Sequence, residues 1–273
     1  MKFHVLTLFP EILQSFFENS IMAKAVKKGI IAYELVNIRD FAFDKHKTCD
    51  DTPYGGGAGM LMMAEPLDAA LRSVLGFPSK VAPSSGKRSK VKHKKGKARV
   101  IYVTPSGTPF TQKKAAQLSL EKELVFICGR YEGIDQRIID KWVDDEISIG
   151  DFVLSSGETA AQVVIDAVYR LIDGVISAES LADESYSGGL LEYPQYTKPE
   201  LFDGKKVPSV LLSGNHEKIR KWRLKQRLAK TLAVRPDMIA EARKAGMLDT
   251  EAELCIAEIT QVQGDCDGCN KND

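Results

Sequence analysis

The sequence predicts an α/β domain built on a mainly parallel sheet, followed by a smaller helical domain. Three observations carry that expectation: apolar runs of strand length alternate with amphipathic stretches through residue 172, the period vanishes over 173–197, and the chain turns helical and basic after Pro199. Strands are expected near 3–8, 30–38, 99–103, 124–128 and 146–149, and strands that alternate with helices form parallel sheets. A helix beginning near Glu158 carries Ala160, Val164, Ala167, Val168 and Leu171 on one face. It should end around Ile172, before Gly174. Residues 173–197 are rich in Gly, Ser and acidic residues and read as a linker. In 198–273, Ser213-Gly214-Asn215 supplies capping residues for a helix over 216–232, and the chain closes on a polar tail.

The 273 residues, 44% hydrophobic and 27% charged, have the profile of a globular protein with a sizeable core. No stretch approaches the roughly 18 apolar residues of a membrane span, and the apolar opening is interrupted by His4, Pro10 and Glu11. The opening therefore reads as structure and not as a secretion signal. Five cysteines, at 49, 128, 255, 266 and 269, form no disulfide framework. A reducing cytoplasm and no membrane partner are expected. Cys266-Asp267-Gly268-Cys269 is a lone pair without a nearby His, which disfavours a structural zinc site.

Net charge is +1, so affinity for a polyanion must come from how charge is distributed. Between Ser79 and Leu120 there is no acid, while Lys and Arg recur from Lys80 to Lys114. The Lys, Ser and Gly stretch 84–97 cannot bury an apolar face and is expected to be disordered without a partner. The helix after Asn215 holds Lys218, Arg220, Lys221, Arg223, Lys225, Arg227 and Lys230 against Glu217. Seven cations on one helix suit phosphate contacts, although a solvated face would also be charged.

Asp51-Thr52-Pro53-Tyr54-Gly55-Gly56-Gly57-Ala58-Gly59-Met60 mimics the glycine turn of a Rossmann methyltransferase. That turn should follow a buried strand, yet the residues before it are polar. A permissive structural loop is the competing reading. Three later loops do follow apolar strands: 104–107, 129–135 and 148–158. In open α/β sheets ligands bind beyond the carboxyl ends of the strands. The three loops could enclose one ligand, though each taken singly is ordinary turn chemistry.

The runs Asp44-Lys45-His46-Lys47-Thr48 through Gly59-Met60-Leu61-Met62, Cys128-Gly129-Arg130-Tyr131-Glu132-Gly133-Ile134-Asp135, Ser148-Ile149-Gly150-Asp151 and Leu211-Leu212-Ser213-Gly214-Asn215-His216 resemble the tRNA (guanine-N(1)) methyltransferase family, TrmD, of the SPOUT class. The resemblance runs from Met1 to about Ile239. It implies a deep trefoil knot in the first domain, S-adenosylmethionine as methyl donor, and an obligate homodimer. It implies tRNA as substrate, not DNA, with methylation of the guanine immediately 3′ of the anticodon. Whether a divalent ion is required stays open.

Carried over by position, the cofactor residues would be Tyr102, Thr104, Pro105 and Gly107; Gly129, Tyr131 and Glu132; and Ile149, Gly150, Phe152, Leu154, Ser156 and Gly157. The chain departs from the family where Ser156 replaces a common Gly and Ala58 a frequent Pro. Methylating a guanine ring nitrogen requires a base for its proton and a cation for the charge left on the neighbouring carbonyl. The resemblance implies Arg170 as the cation. The family's catalytic Asp precedes Ser and an aromatic; here Glu184 precedes Ser185-Tyr186, and Asp183 lies one residue earlier. Both remain candidates for the base: alignment to Ser185-Tyr186 favours Glu184, while residue type favours Asp183. Two rival readings are a Rossmann methyltransferase using the glycine loop and a non-catalytic RNA-binding protein.

Overall fold

The computed structural model describes residues 1–78, 98–182 and 184–269, with backbone alone at 178, 182, 187 and 262–269. The Lys-rich stretch 84–97 and Asp183 lie outside the described residues. The chain divides into two compact units, Met1–Ile176 and Ser177–Asp273.

In the first unit the elements run β1 (Lys2–Thr7), α1 (Glu11–Glu18), α2 (Ser20–Lys27), β2 (Ala32–Asn37), β3 (Asp50–Asp51), β4 (Leu61–Met62), α3 (Ala64–Val74), β5 (Arg99–Pro109), α4 (Gln112–Leu118), β6 (Glu123–Cys128), α5 (Gln136–Trp142), β7 (Asp145–Ser148) and α6 (Gly157–Tyr169). Every strand expected from the sequence stands in one sheet, ordered β2-β1-β6-β5-β7, and each neighbouring pair is parallel. Burial on both faces explains why the inner strands β1, β5 and β6 read as apolar runs. Phe3, Val5, Ile101, Val103, Leu124 and Phe126 meet α1, α2, α4 and α6 on one face. Leu6, Val100, Tyr102, Val125 and Ile127 meet α3 and α5 on the other. Among the described residues no helix is long and apolar enough to cross a membrane.

One half-buried acid anchors the second face. Asp68 on α3 accepts hydrogen bonds from Arg72 Nε at 2.8 Å, from Trp142 Nε1 at 2.7 Å and from Lys141. Burial opposes its ionisation, but these donors outweigh burial and hold the carboxyl at about 2, below its ordinary 3.8. A carboxyl depressed in the folded state contributes stability above its unfolded value and loses it as pH falls through the folded one. Asp68→Asn is therefore expected to cost about 1–2 kcal/mol at neutral pH. Parent and variant should converge between pH 4 and pH 2. Urea unfolding across that range tests this, and a cost that stays constant down to pH 2 would refute it.

The second unit contains α7 (Ala178–Ala182), the hairpin β8 (Leu201–Phe202) and β9 (Lys205–Lys206), then α8 (Ser209–Leu212), α9 (His216–Val234), α10 (Pro236–Lys244) and α11 (Thr250–Cys269). Asp203 and Gly204 turn the hairpin with φ of 48° and 74°, as a two-residue primed turn demands. Asn215 caps α9 by accepting from Lys218 N at 3.0 Å, as its sequence position implies. The stretch read as a linker is partly structured: α7 lies within it, and Leu190 is buried with Leu228, Ile239, Ala252 and Ile256. The region read as a polar tail is largely α11, whose Ile256 and Ile259 complete that core. Cys266 and Cys269 fall where the backbone alone is described.

Structure also changes the reading of the basic helix. Glu251 and Glu258 on α11 pair with Arg220 and Lys225 at 2.8 and 3.1 Å. Arg227 Nε donates to the Leu191 carbonyl at 3.1 Å, and the Arg223 guanidinium lies 4.6 Å from the centre of the Tyr193 ring. Several of the seven cations thus hold the second unit together. Lys218, Lys221 and Lys230 are exposed.

Candidate functional site

Because β5 lies between β6 and β7, the loops leaving the carboxyl ends of three adjacent parallel strands meet at one edge of the sheet. They enclose a cleft of about 330 Å³. Its volume falls at the lower end of small-molecule sites, roughly 300–1,000 Å³. Tyr102, Thr104, Pro105, Gly129, Tyr131, Glu132, Ile149, Gly150, Phe152, Leu154, Ser156 and Gly157 all line it.

Each loop is shaped by a local constraint. Val103 and Thr108 both register with Ile147, so residues 104–107 loop out of β5 before it rejoins β7. Gly107 does not line the cleft. A Cβ there would meet the backbone of Ile147 at 2.5 Å, so this glycine permits β5 to close back onto β7. The second loop is tied to β4 and its flank: Met62 N donates to the Gly133 carbonyl at 3.0 Å, and Glu132 N to the Met60 carbonyl at 3.0 Å. Tyr131 there holds a left-handed φ of 56°, a conformation that non-glycine residues adopt at a cost. In the third loop, Ser148 Oγ donates to the Gly150 carbonyl at 3.0 Å, and Phe152, Val153 and Leu154 are exposed.

The start of α6 clamps these loops together. Gly157 N donates to the Gly129 carbonyl at 2.9 Å, and a Cβ on Gly157 would stand 2.7 Å from Gly129 N. Gly129 in turn leaves room for the Tyr102 hydroxyl, 2.9 Å from where its Cβ would lie. Burial raises the Tyr102 phenol above its ordinary value, so it stands in the cleft as a neutral group.

The glycine loop that mimics a Rossmann turn is placed elsewhere. It joins β3 to β4, two-residue strands paired with each other and outside the main sheet. Of this loop, Gly59 abuts the Glu132 side chain, for which its missing Cβ makes room.

Among the candidate catalytic residues, Arg170 does not line the cleft of its own chain. Arg170 caps the far end of α6, whose first residue, Gly157, lines the cleft. Thirteen helical residues separate those ends by about 20 Å. Glu184 belongs to the second unit, where Ser185 Oγ accepts from Glu192 N at 3.1 Å and Tyr186 N donates to the Leu190 carbonyl at 2.9 Å. Asp183 lies outside the described residues.

Sequence reasoning missed Arg130, although it stands inside the motif Cys128 to Asp135. It lines the cleft, its Nε lies 3.3 Å from Glu158 Oε2, and its guanidinium covers the Phe9 ring at 4.5 Å. Glu158 is the last residue of the loop 148–158, but its burial has no signature in a helix of mixed polarity.

A model of the family "tRNA (Guanine-1)-methyltransferase TrmD" matches residues 1–241. The chain is 64% identical over 258 residues to a tRNA (guanine-N(1)-)-methyltransferase of Treponema denticola, covering 94% of this chain and 98% of the relative. Proteins of the same name from Treponema pallidum and Borreliella burgdorferi are 54% and 55% identical; they cover 95% and 87% of this chain, and 96% and 92% of their own lengths. A family match across most of the chain, together with relatives this similar, shows that the chain belongs to the tRNA (guanine-1)-methyltransferase family, TrmD.

Proposed function

We propose that the cleft beyond β5, β6 and β7 binds S-adenosylmethionine, and that this chain, a tRNA (guanine-N(1)) methyltransferase by family, methylates N1 of the guanine immediately 3′ of the anticodon. The convergence of the three loops on one glycine-shaped cleft carries the reading of the cofactor site. Backbone groups at 104–106, 129–133, 148–150 and 152–157 along the cleft suit an adenine edge, and the Glu132 carboxylate suits ribose hydroxyls. When bound, the cofactor supplies an electrophilic methyl group on a sulfonium.

The remaining chemistry belongs to protein side chains. A carboxylate at Glu184, or at Asp183, takes the N1 proton while Arg170 stabilises the charge that gathers on the guanine O6. Since Arg170 stands a helix length from its own cleft, the complete site is proposed to form between two protomers. One chain would give the cleft, and its partner would give Arg170 and the base. The sheet order, with β5 inserted between the later β6 and β7, supports reading the chain path as the deep trefoil knot of the SPOUT class. Such knots are exceptions to ordinary topology. Residues 198–273 are proposed to meet tRNA phosphates, with exposed Lys218, Lys221 and Lys230 as contacts.

Incubating the purified protein with labelled S-adenosylmethionine and unmodified tRNA, then mapping the product by mass spectrometry, tests this function. One methyl group on N1 of the guanine 3′ of the anticodon is expected. Methylation at another base, or cofactor seated in the glycine loop at 55–59, would overturn it.

A further inference from the structure

Glu158 is fully buried at the second position of α6. Its Oε1 accepts a hydrogen bond from the equally buried Thr7 hydroxyl at 2.5 Å. Its Oε2 faces Arg130 Nε at 3.3 Å, and neither of those two atoms has an aligned hydrogen bond to the protein. Burying such a pair costs more desolvation than a well-packed apolar pair would, so stability is a poor explanation for it. Position offers a better one. Among the described residues that line the cleft, Arg130 is the one cation and Glu132 the one acid.

We propose that Glu158 sets the charge of the cleft: by neutralising Arg130 from behind, it makes the site prefer the cationic methyl donor over its neutral thioether product. This rests on reading the cleft as the S-adenosylmethionine site. In the reaction the methyl carbon bonds to guanine N1, the carbon–sulfur electron pair returns to sulfur, and the N1 proton passes to the base. S-adenosylhomocysteine therefore carries one positive charge fewer than the donor. With Glu158 present, the acids around the cleft exceed the cation by one charge; without it they balance. A unit charge within about 10 Å, at an effective dielectric of about 20, is a roughly tenfold effect on affinity. Glu158 would thereby act as a specificity-determining residue that speeds exchange of product for donor.

Calorimetry of S-adenosylmethionine, S-adenosylhomocysteine and the amine-bearing analogue sinefungin tests this on the full-length parent, Glu158→Gln, Arg130→Gln and the double variant. In Glu158→Gln the ratio of donor to product affinity should fall roughly tenfold, with sinefungin following the donor. In the double variant the ratio should return to within about threefold of the parent, a rescue that loss of packing alone would not give. Should Glu158→Gln fail to fold, Arg130→Gln remains decisive, because uncovering the Glu158 charge should raise the ratio several-fold. An unchanged ratio in either single variant, or an equal fall in the double variant, would overturn the proposal. A parent protein that binds neither donor nor product would overturn the cofactor reading itself, and this inference with it.

Discussion

Arg170→Ala is expected to lower turnover roughly 100-fold or more, the order lost when an oxyanion donor is removed, while cofactor affinity stays near the parent value. Arg170 caps α6 and is partly exposed, so the substitution opens no core cavity. Its distance from Gly157, about 20 Å along the helix, keeps it from the cleft of its own chain. If it acts on guanine at a cleft, that cleft belongs to a second protomer. A complementation assay follows directly. Gly129→Val should close the cleft, since even a Cβ there meets the Tyr102 hydroxyl at 2.9 Å. Each variant alone should be nearly inactive. Mixed and allowed to exchange subunits, they should recover up to about a quarter of parent activity, because half of the random dimers carry one intact site. No recovery after exchange would sink the shared site, and a matching loss of cofactor affinity in Arg170→Ala would remove the cation from its role.

The parts of this design that are legible in the sequence are those with a short period or a sharp break. β1, β5 and β6 are apolar on both faces because helices cover both, and a doubly buried strand cannot be mistaken for a loop. The three loops that line the cleft show themselves as Gly and Ser breaks at the ends of β5, β6 and β7. The function of Gly107 is not visible in that way, because its reason is the backbone of Ile147, forty residues later. Arg130 and Glu158 escape for the same reason: neither neighbourhood predicts an ion pair across the start of α6. On the basic helix the sequence shows cations without opposing acids, since Glu251 and Glu258 arrive on a helix thirty residues on. The stretch 173–197 lacks a period, yet its last part is ordered by side chains of α9. Thr231 Oγ1 accepts from Leu191 N at 3.0 Å, and Arg227 holds the Leu191 carbonyl.

That anchoring bears on the base, where single-turnover methylation by Glu184→Gln is expected to slow by roughly 10²–10⁴-fold, with Asp183→Asn within about threefold of the parent. A carboxylate titrating near 4 is a poor match for a guanine N1 proton, so its contribution depends on being held in place beside a cation that stabilises the deprotonated ring. Glu184 has the supports for such placement. The next residue, Ser185, accepts from Glu192 N; Tyr186 is fixed at a left-handed φ of 71° by its hydrogen bond to the Leu190 carbonyl; and Leu190 is buried in the core of the second unit. Consecutive side chains in an irregular segment diverge, so one of the two neighbouring acids reaches the guanine. The extra methylene of Glu extends its reach relative to the Asp usual in the family. Cofactor affinity, measured separately, should be unchanged in both variants, since the role proposed for these acids is toward the guanine and not toward the cofactor. A large loss in Asp183→Asn with Glu184→Gln near the parent would exchange the two roles. If both variants methylate at the parent rate, neither acid takes the proton, and the pairing of this segment with Arg170 falls with it.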